Sequence, residues 1–288
     1  MNLGIYGRPQ RRFAACLALM LTSALAGLAG EASAARAGDV TLSVGWTHIR
    51  ANETNRAPLN RLRSNALFPV LGVQEEFRSD GVDIKPRDVN TLALVVEYHF
   101  THRWSLQFIG GYPPTAKTDA SGPVAPTGPV GAVANINLGE AQFQPAGQAR
   151  QWSPALVLAR YFGRPADRWR SFVGLGVNYS WFTQESLNDN LERAINRRFG
   201  APLALAAGRS GPTQVDSRLE AEWAPVLTVG ARLKLASRWS LKGSLAYIPL
   251  ATTAVVDLAA ADGTALGNSR TRIEFDPVVA TLLLGYRF

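Results

Sequence analysis

The side chains of this 288-residue chain that could do chemistry are few: three histidines, one cysteine, and charged residues set inside alternating apolar runs. His48, His99 and His102 have no serine and acid near them in sequence that would complete a nucleophile, base and orienter. Metal-ligand spacings and phosphate-cradling glycine loops are absent from the sequence, so neither a metal nor a cofactor is expected. What does recur is Asp39, Glu97, Arg160, Arg170, Arg232, Lys234, Lys242 and Arg287, ionisable residues among apolar neighbours, where a charge is costly unless paired or hydrated. Two acids against six bases can make a plug of paired charges or a constriction that attracts anions. The choice depends on the elements that carry them.

Those elements have a period of two, the period of a strand. Val40, Leu42, Val44 and Trp46 alternate with Thr41, Ser43, Gly45 and Thr47, and Leu92, Leu94, Val96, Tyr98 and Phe100 alternate with Thr91, Ala93, Val95, Glu97 and His99. Six further runs begin near Trp104, Trp152, Trp169, Trp223, Trp239 and Ala280. The run from Trp152 to Phe162 is apolar on both faces, so pattern alone does not fix its inward side. Long connections (51–88, 113–150, 183–218 and about 250–271) alternate with short ones (101–103, 163–168 and 236–238). Aromatic residues mark both strand ends, where a ring can sit in hydrocarbon while its polar atom stays wet. Eight strands, short turns on one rim, long loops on the other and aromatic girdles predict an all-β fold: an eight-stranded antiparallel transmembrane up-and-down β-barrel with long extracellular loops. A soluble sandwich would spread its loop lengths over both ends.

At the start of the chain Arg8, Arg11 and Arg12 precede the apolar run Phe13 to Leu28 and the triplet Ala32-Ser33-Ala34. This is the order of a secretory signal peptide, with cleavage expected after Ala34. The run falls short of the roughly 20 residues of a membrane-spanning helix. The chain therefore divides into a signal peptide, 1–34, and an outer-membrane barrel, 35–288, and cleavage takes away Cys16 and with it any disulfide or thiol chemistry. The formal charge of +8 is spread over strands and loops. An exported chain is not expected to meet nucleic acid, so the basic excess suits outer-membrane lipids and lipopolysaccharide, or anionic solutes. Leu282, Leu284, Tyr286 and Phe288 alternate at the C-terminus as the signal that the barrel-assembly machinery reads, in the outer membrane of a Gram-negative bacterium.

Phe172-Val173-Gly174-Leu175-Gly176-Val177-Asn178-Tyr179 is similar to a strand of the OmpW family of small outer-membrane barrels, Phe or Tyr followed by Val-Gly-x-Gly-x-Asn-Tyr. Ala159-Arg160-Tyr161-Phe162, the Trp239 hairpin leading to Thr252-Thr253-Ala254, Asp276-Pro277 and the closing Gly285-Tyr286-Arg287-Phe288 extend the likeness from about Asn90 to the end. The first loop and the insertions at 113–150 and 183–218 are longer than that family's pattern.

An eight-stranded barrel has an interior barely wide enough for its own side chains, so a pore of porin width is not expected. Counting from the short turns puts the eight charged residues in a layer at the periplasmic end. Above it, Leu156, Leu158, Phe172, Gly174, Gly176 and Val226 are the expected apolar well. The OmpW resemblance implies that small hydrophobic solutes enter such a well and leave sideways into the membrane. Loop residues Leu59, Leu62, Leu67, Phe68, Val70 and Leu71, with Leu187, Leu191, Ile195 and Phe199 at helical spacing, either line an extracellular funnel or pack the loops on one another or on lipid. The chain is not read as an enzyme. The alternatives are a lipid-modifying enzyme, with a Ser/His/Glu set assembled only in space, or a surface receptor or structural barrel without transport.

Overall fold

The computed structural model describes residues 37–65, 68–126, 131 and 134–288. The signal peptide read in residues 1–34 lies outside the described residues. Eight antiparallel strands close on one another: β1 (Val40–Arg50), β2 (Val89–His99), β3 (Trp104–Gly111), β4 (Ala155–Tyr161), β5 (Trp169–Leu187), β6 (Glu222–Lys234), β7 (Trp239–Tyr247) and β8 (Val278–Arg287). Each pairs with the next in sequence, and β8 pairs with β1, Thr41 opposite Arg287 and Arg50 opposite Val278. The Phe288 amide completes the seam by donating to the Val40 carbonyl at 3.0 Å.

The alternation in sequence becomes inside and outside. On β2, Ala93, Val95, Glu97 and His99 are buried while Leu92, Leu94, Val96 and Tyr98 are exposed. The same holds around the barrel, where Val173, Leu175, Leu227, Val229, Leu282 and Leu284 form a continuous outward apolar band. A face of that extent belongs against lipid, because water would not tolerate it. Ring contacts bound the band: Trp239, Tyr286 and Phe288 on the short-turn side, and Trp152 stacked on Trp181 at 5.8 Å with Tyr179 against Trp223 on the other.

β4 corrects the expected apolar well and charged layer. Leu156 and Leu158 are 45% and 43% exposed, and Arg160 is also exposed, so all three face outward. Register decides this where pattern could not: Leu156, Leu158 and Arg160 lie opposite Val177, Leu175 and Val173, which belong to the outward band. The inward set of β4 is Ala155, Val157, Ala159 and Tyr161, all buried.

Gly174 and Gly176 do face inward, but they open no well. A Cβ at Gly174 would meet Val157 Cγ1 at 2.7 Å and Thr228 Cγ2 at 2.8 Å, and one at Gly176 would meet the Leu156 carbonyl oxygen at 2.2 Å. The glycines are the space into which opposing side chains pack.

Above the barrel the long connections are not irregular loops. Residues 83–86, 115–121 and 147–152 extend the sheet on the upper half of β5, while 214–219, 250–259, 265–275, 59–62 and 76–78 form a second sheet. The connection read as a loop over 250–271 is thus a long hairpin. The third connection contains the expected helix, Asp189–Ile195, capped by the Asn188 side chain, which accepts from the Asn190 and Leu191 amides. Leu191 is buried and Ile195 and Phe199 are partly buried in its core, but Leu187 ends β5 and lies outside the helix. In the first connection Leu59 and Leu62 lie on a strand and Phe68 is buried; Leu67 and the side chains of Val70 and Leu71 lie outside the described residues.

Candidate functional site

Just inside the periplasmic mouth, a layer of the lumen is built on one acid. Glu97 is fully buried, and its carboxylate accepts from Ser105 Oγ (2.6 Å), Gln107 Nε2 (3.0 Å), Tyr161 OH (2.8 Å), Arg232 Nη2 (2.5 Å) and Lys242 Nζ (3.4 Å). These donors come from β3, β4, β6 and β7 and Glu97 itself from β2, so one carboxylate ties most of the barrel's circumference together. A buried carboxylate with this many donors is compensated where an isolated one would not be. Tyr161 and Phe172 stack at 5.1 Å, and Arg232 and Lys242 sit over the Tyr161 and Phe172 rings at 4.7 Å each. His99 packs on Tyr161 and approaches Arg232 Nη1 at 3.3 Å.

The remaining charges from the sequence reading lie nearer the mouth. Asp39 pairs with Arg287 at 3.4 Å. Arg170, only 4% exposed, donates to the carbonyls of His102 (2.7 Å) and Phe162 (3.3 Å). Lys234 lines the mouth and does not reach Glu97. Tyr161, Ser105, Gln107 and His99 are the partners that the sequence reading missed. Their signal was parity: all four share the inward face with Glu97, and Ser105 and Gln107 are the polar half of the β3 alternation.

Above the charges the lumen is filled. Val157 and Val226 are 0% and 1% exposed, packed with Ala155, Ile109, Ala246 and Ile248. Phe172 and Val226 therefore belong to a closed plug and not to an open well.

The empty space lies higher, inside the extracellular sheets. A cavity of about 340 Å³ is lined mainly by apolar side chains, among them Ile49, Phe182, Leu191, Ile195, Val255, Leu258 and Ile273. Pro86, Pro113, Pro114, Pro154, Pro249 and Pro277 stand at or between the ends of the barrel strands and the strands of the upper layer. Proline has no amide hydrogen to give a ladder, and pairing breaks beside Pro86 and Pro114. The β2–β3 ladder ends at Ala93 opposite Gly111 and resumes only at Pro86 opposite Thr118. On the other side of β3, pairing with β4 ends at Ile109 opposite Ala155 and resumes at Thr115 opposite Arg150. Pro86, Val89, Pro114, Ala116 and Gln151, at the edges of both breaks, line the cavity.

A closed eight-stranded barrel with a lipid-facing apolar band and aromatic girdles defines a small outer-membrane β-barrel protein of a Gram-negative bacterium. Within that class the chain belongs to the OmpW family, whose model matches residues 69–288. It is 27% identical over 197 residues to outer membrane protein W of Vibrio cholerae, covering 68% of this chain and 73% of that one. To outer membrane protein W of Salmonella typhi it is 23% identical over 271 residues, covering 94% and 97%. Among solved structures, the outer membrane protein OprG from Pseudomonas aeruginosa has the same fold, with a TM-score of 0.63 at 17% identity, covering 90% of this chain and 99% of that chain. The outer membrane protein AlkL is similar at a TM-score of 0.50 and 17% identity, covering 90% and 94%.

Proposed function

We propose that this barrel takes up small hydrophobic molecules from outside the cell and delivers them sideways into the outer membrane. The single observation that carries the reading is the pairing of an apolar cavity of about 340 Å³ with a lumen closed beneath it. A solute held among Phe182, Val255 and Ile273 gains from leaving water, at roughly 25 cal/mol per Å² of apolar surface buried. Below it stand Val157, Val226 and the Glu97 layer, which leave no path of solute width. The strand-pairing breaks beside Pro86 and Pro114 adjoin the cavity at the level of the outer girdle, so they give the shortest way out into lipid.

The test is uptake of a fluorescent hydrophobe, N-phenylnaphthylamine, by proteoliposomes, with ion conductance recorded on the same preparation. The expected result is dye entry into the bilayer with no stable porin-scale conductance, and loss of the protein-dependent rate in Ala254→Phe, which fills the cavity. Heat-modifiable gel mobility shows whether that variant still forms a barrel. Large, steady conductance in the unmodified protein, or unchanged dye entry in a folded Ala254→Phe barrel, overturns the proposal.

A further inference from the structure

We infer that the periplasmic mouth of the barrel is a binding site for a phosphate-type oxyanion, independent of the cavity at the other end. The mouth holds a pocket of about 40 Å³. At about 10–15 Å³ for each water, that is room for roughly three waters, the scale of a tetrahedral oxyanion. Its walls carry six cationic side chains and a single carboxylate, Asp167. Arg232 and Arg287 are engaged with Glu97 and Asp39. Arg168, Arg170, Lys234 and Arg238 have no carboxylate within 4.0 Å among the described residues. Counting Asp167, Glu97 and Asp39 against the six cations leaves three positive charges uncompensated around one small pocket.

Two buried polar groups in the same pocket point to the sign of the missing partner. The Thr41 hydroxyl, on a residue 2% exposed, and Arg170 Nη1 have no hydrogen-bond partner, although buried polar groups nearly always have one. Arg170 is not free to swing away, because its Nε and Nη2 are fixed on the Phe162 and His102 carbonyls. Arg170 Nη1 can only donate and the Thr41 hydroxyl can donate, so an acceptor satisfies both. Thr41 from β1, Arg170 from β5 and Lys234 from β6 approach from separate strands, a spread that suits a tetrahedral phosphate better than a planar carboxylate. The phosphate can be inorganic phosphate of the periplasm or the headgroup of an inner-leaflet phospholipid.

The experiment follows the ³¹P line width of inorganic phosphate as it is titrated with the folded barrel in neutral detergent, at constant ionic strength made up with chloride. Saturable broadening is expected, weakened about tenfold in Lys234→Gln and in Thr41→Val, the equivalent of one charge-assisted hydrogen bond each. Arg160→Gln, at the same rim but on the outer face, should bind as the unmodified protein does. Competition by short-chain phosphatidylglycerol identifies the headgroup as the source, and its absence identifies free phosphate. No saturation, or saturation that survives both Lys234→Gln and Thr41→Val in barrels of normal heat-modifiable mobility, overturns the inference.

Discussion

Glu97 shows what one buried carboxylate does when every neighbour is arranged around it. Arg232 and Lys242 at 2.5 and 3.4 Å are charges that the lumen can hold only because Glu97 is there. Glu97→Gln keeps the shape but strands two cations, and breaking a buried ion pair in this way costs about 3–5 kcal/mol. Urea unfolding of the barrel in lipid vesicles should show that loss, and adding Arg232→Met should recover part of it by removing one stranded charge. Additive losses in the double variant would mean that the two residues act separately. Lys234→Gln should leave stability nearly unchanged, since Lys234 lines the mouth without touching the acid.

At the scale of elements, the strand β5 places its glycines against β4, and the two positions make different demands. The obstacle to a Cβ at Gly174 is side chains, Val157 and Thr228, so Gly174→Ala should weaken heat-modifiable barrel formation and Val157→Ala should partly restore it. At Gly176 the obstacle is the Leu156 carbonyl, and no side-chain truncation should rescue Gly176→Ala. In the outer layer, Arg87 donates to Asp119 through Nε at 2.8 Å and Nη2 at 2.6 Å, holding the carboxylate pKa below its ordinary value. A depressed folded value means stability that is present at neutral pH and lost as the acid protonates, below about pH 4. The protection of amides in residues 83–86 and 115–121, measured against the intrinsic exchange rate at each pH, should therefore fall between pH 7 and pH 3. Arg87→Gln should exchange faster at pH 7 and change less on acidification. The strands and their lipid-facing sides were legible in sequence because period-two alternation writes the lipid boundary directly. β4 was not, because Val157 and Leu158 are equally apolar and only register against β5 separates them. The outer sheets were hidden for a related reason: Val255, Leu258 and Ile273 face a cavity closed by segments distant in sequence, with no lipid boundary to impose a strict alternation.

At the scale of the molecule, the barrel has one seam, between β8 and β1, and its last hydrogen bond is made by Phe288. Deleting Phe288 should reduce the heat-modifiable fraction recovered from outer membranes, and unchanged recovery would show that Tyr286 and the residues before it suffice. The closing pair, Val40 and Phe288, stand at almost opposite ends of the described chain, so no partial chain can finish the circle. Until the final residue is available, β1 presents an open edge, and an open edge is a template for other chains. A polymer whose ends must meet before any edge is protected folds late and aggregates readily on the way. The seam therefore makes the time before closure, and not the finished barrel, the stage at which this chain is most exposed to pairing with others.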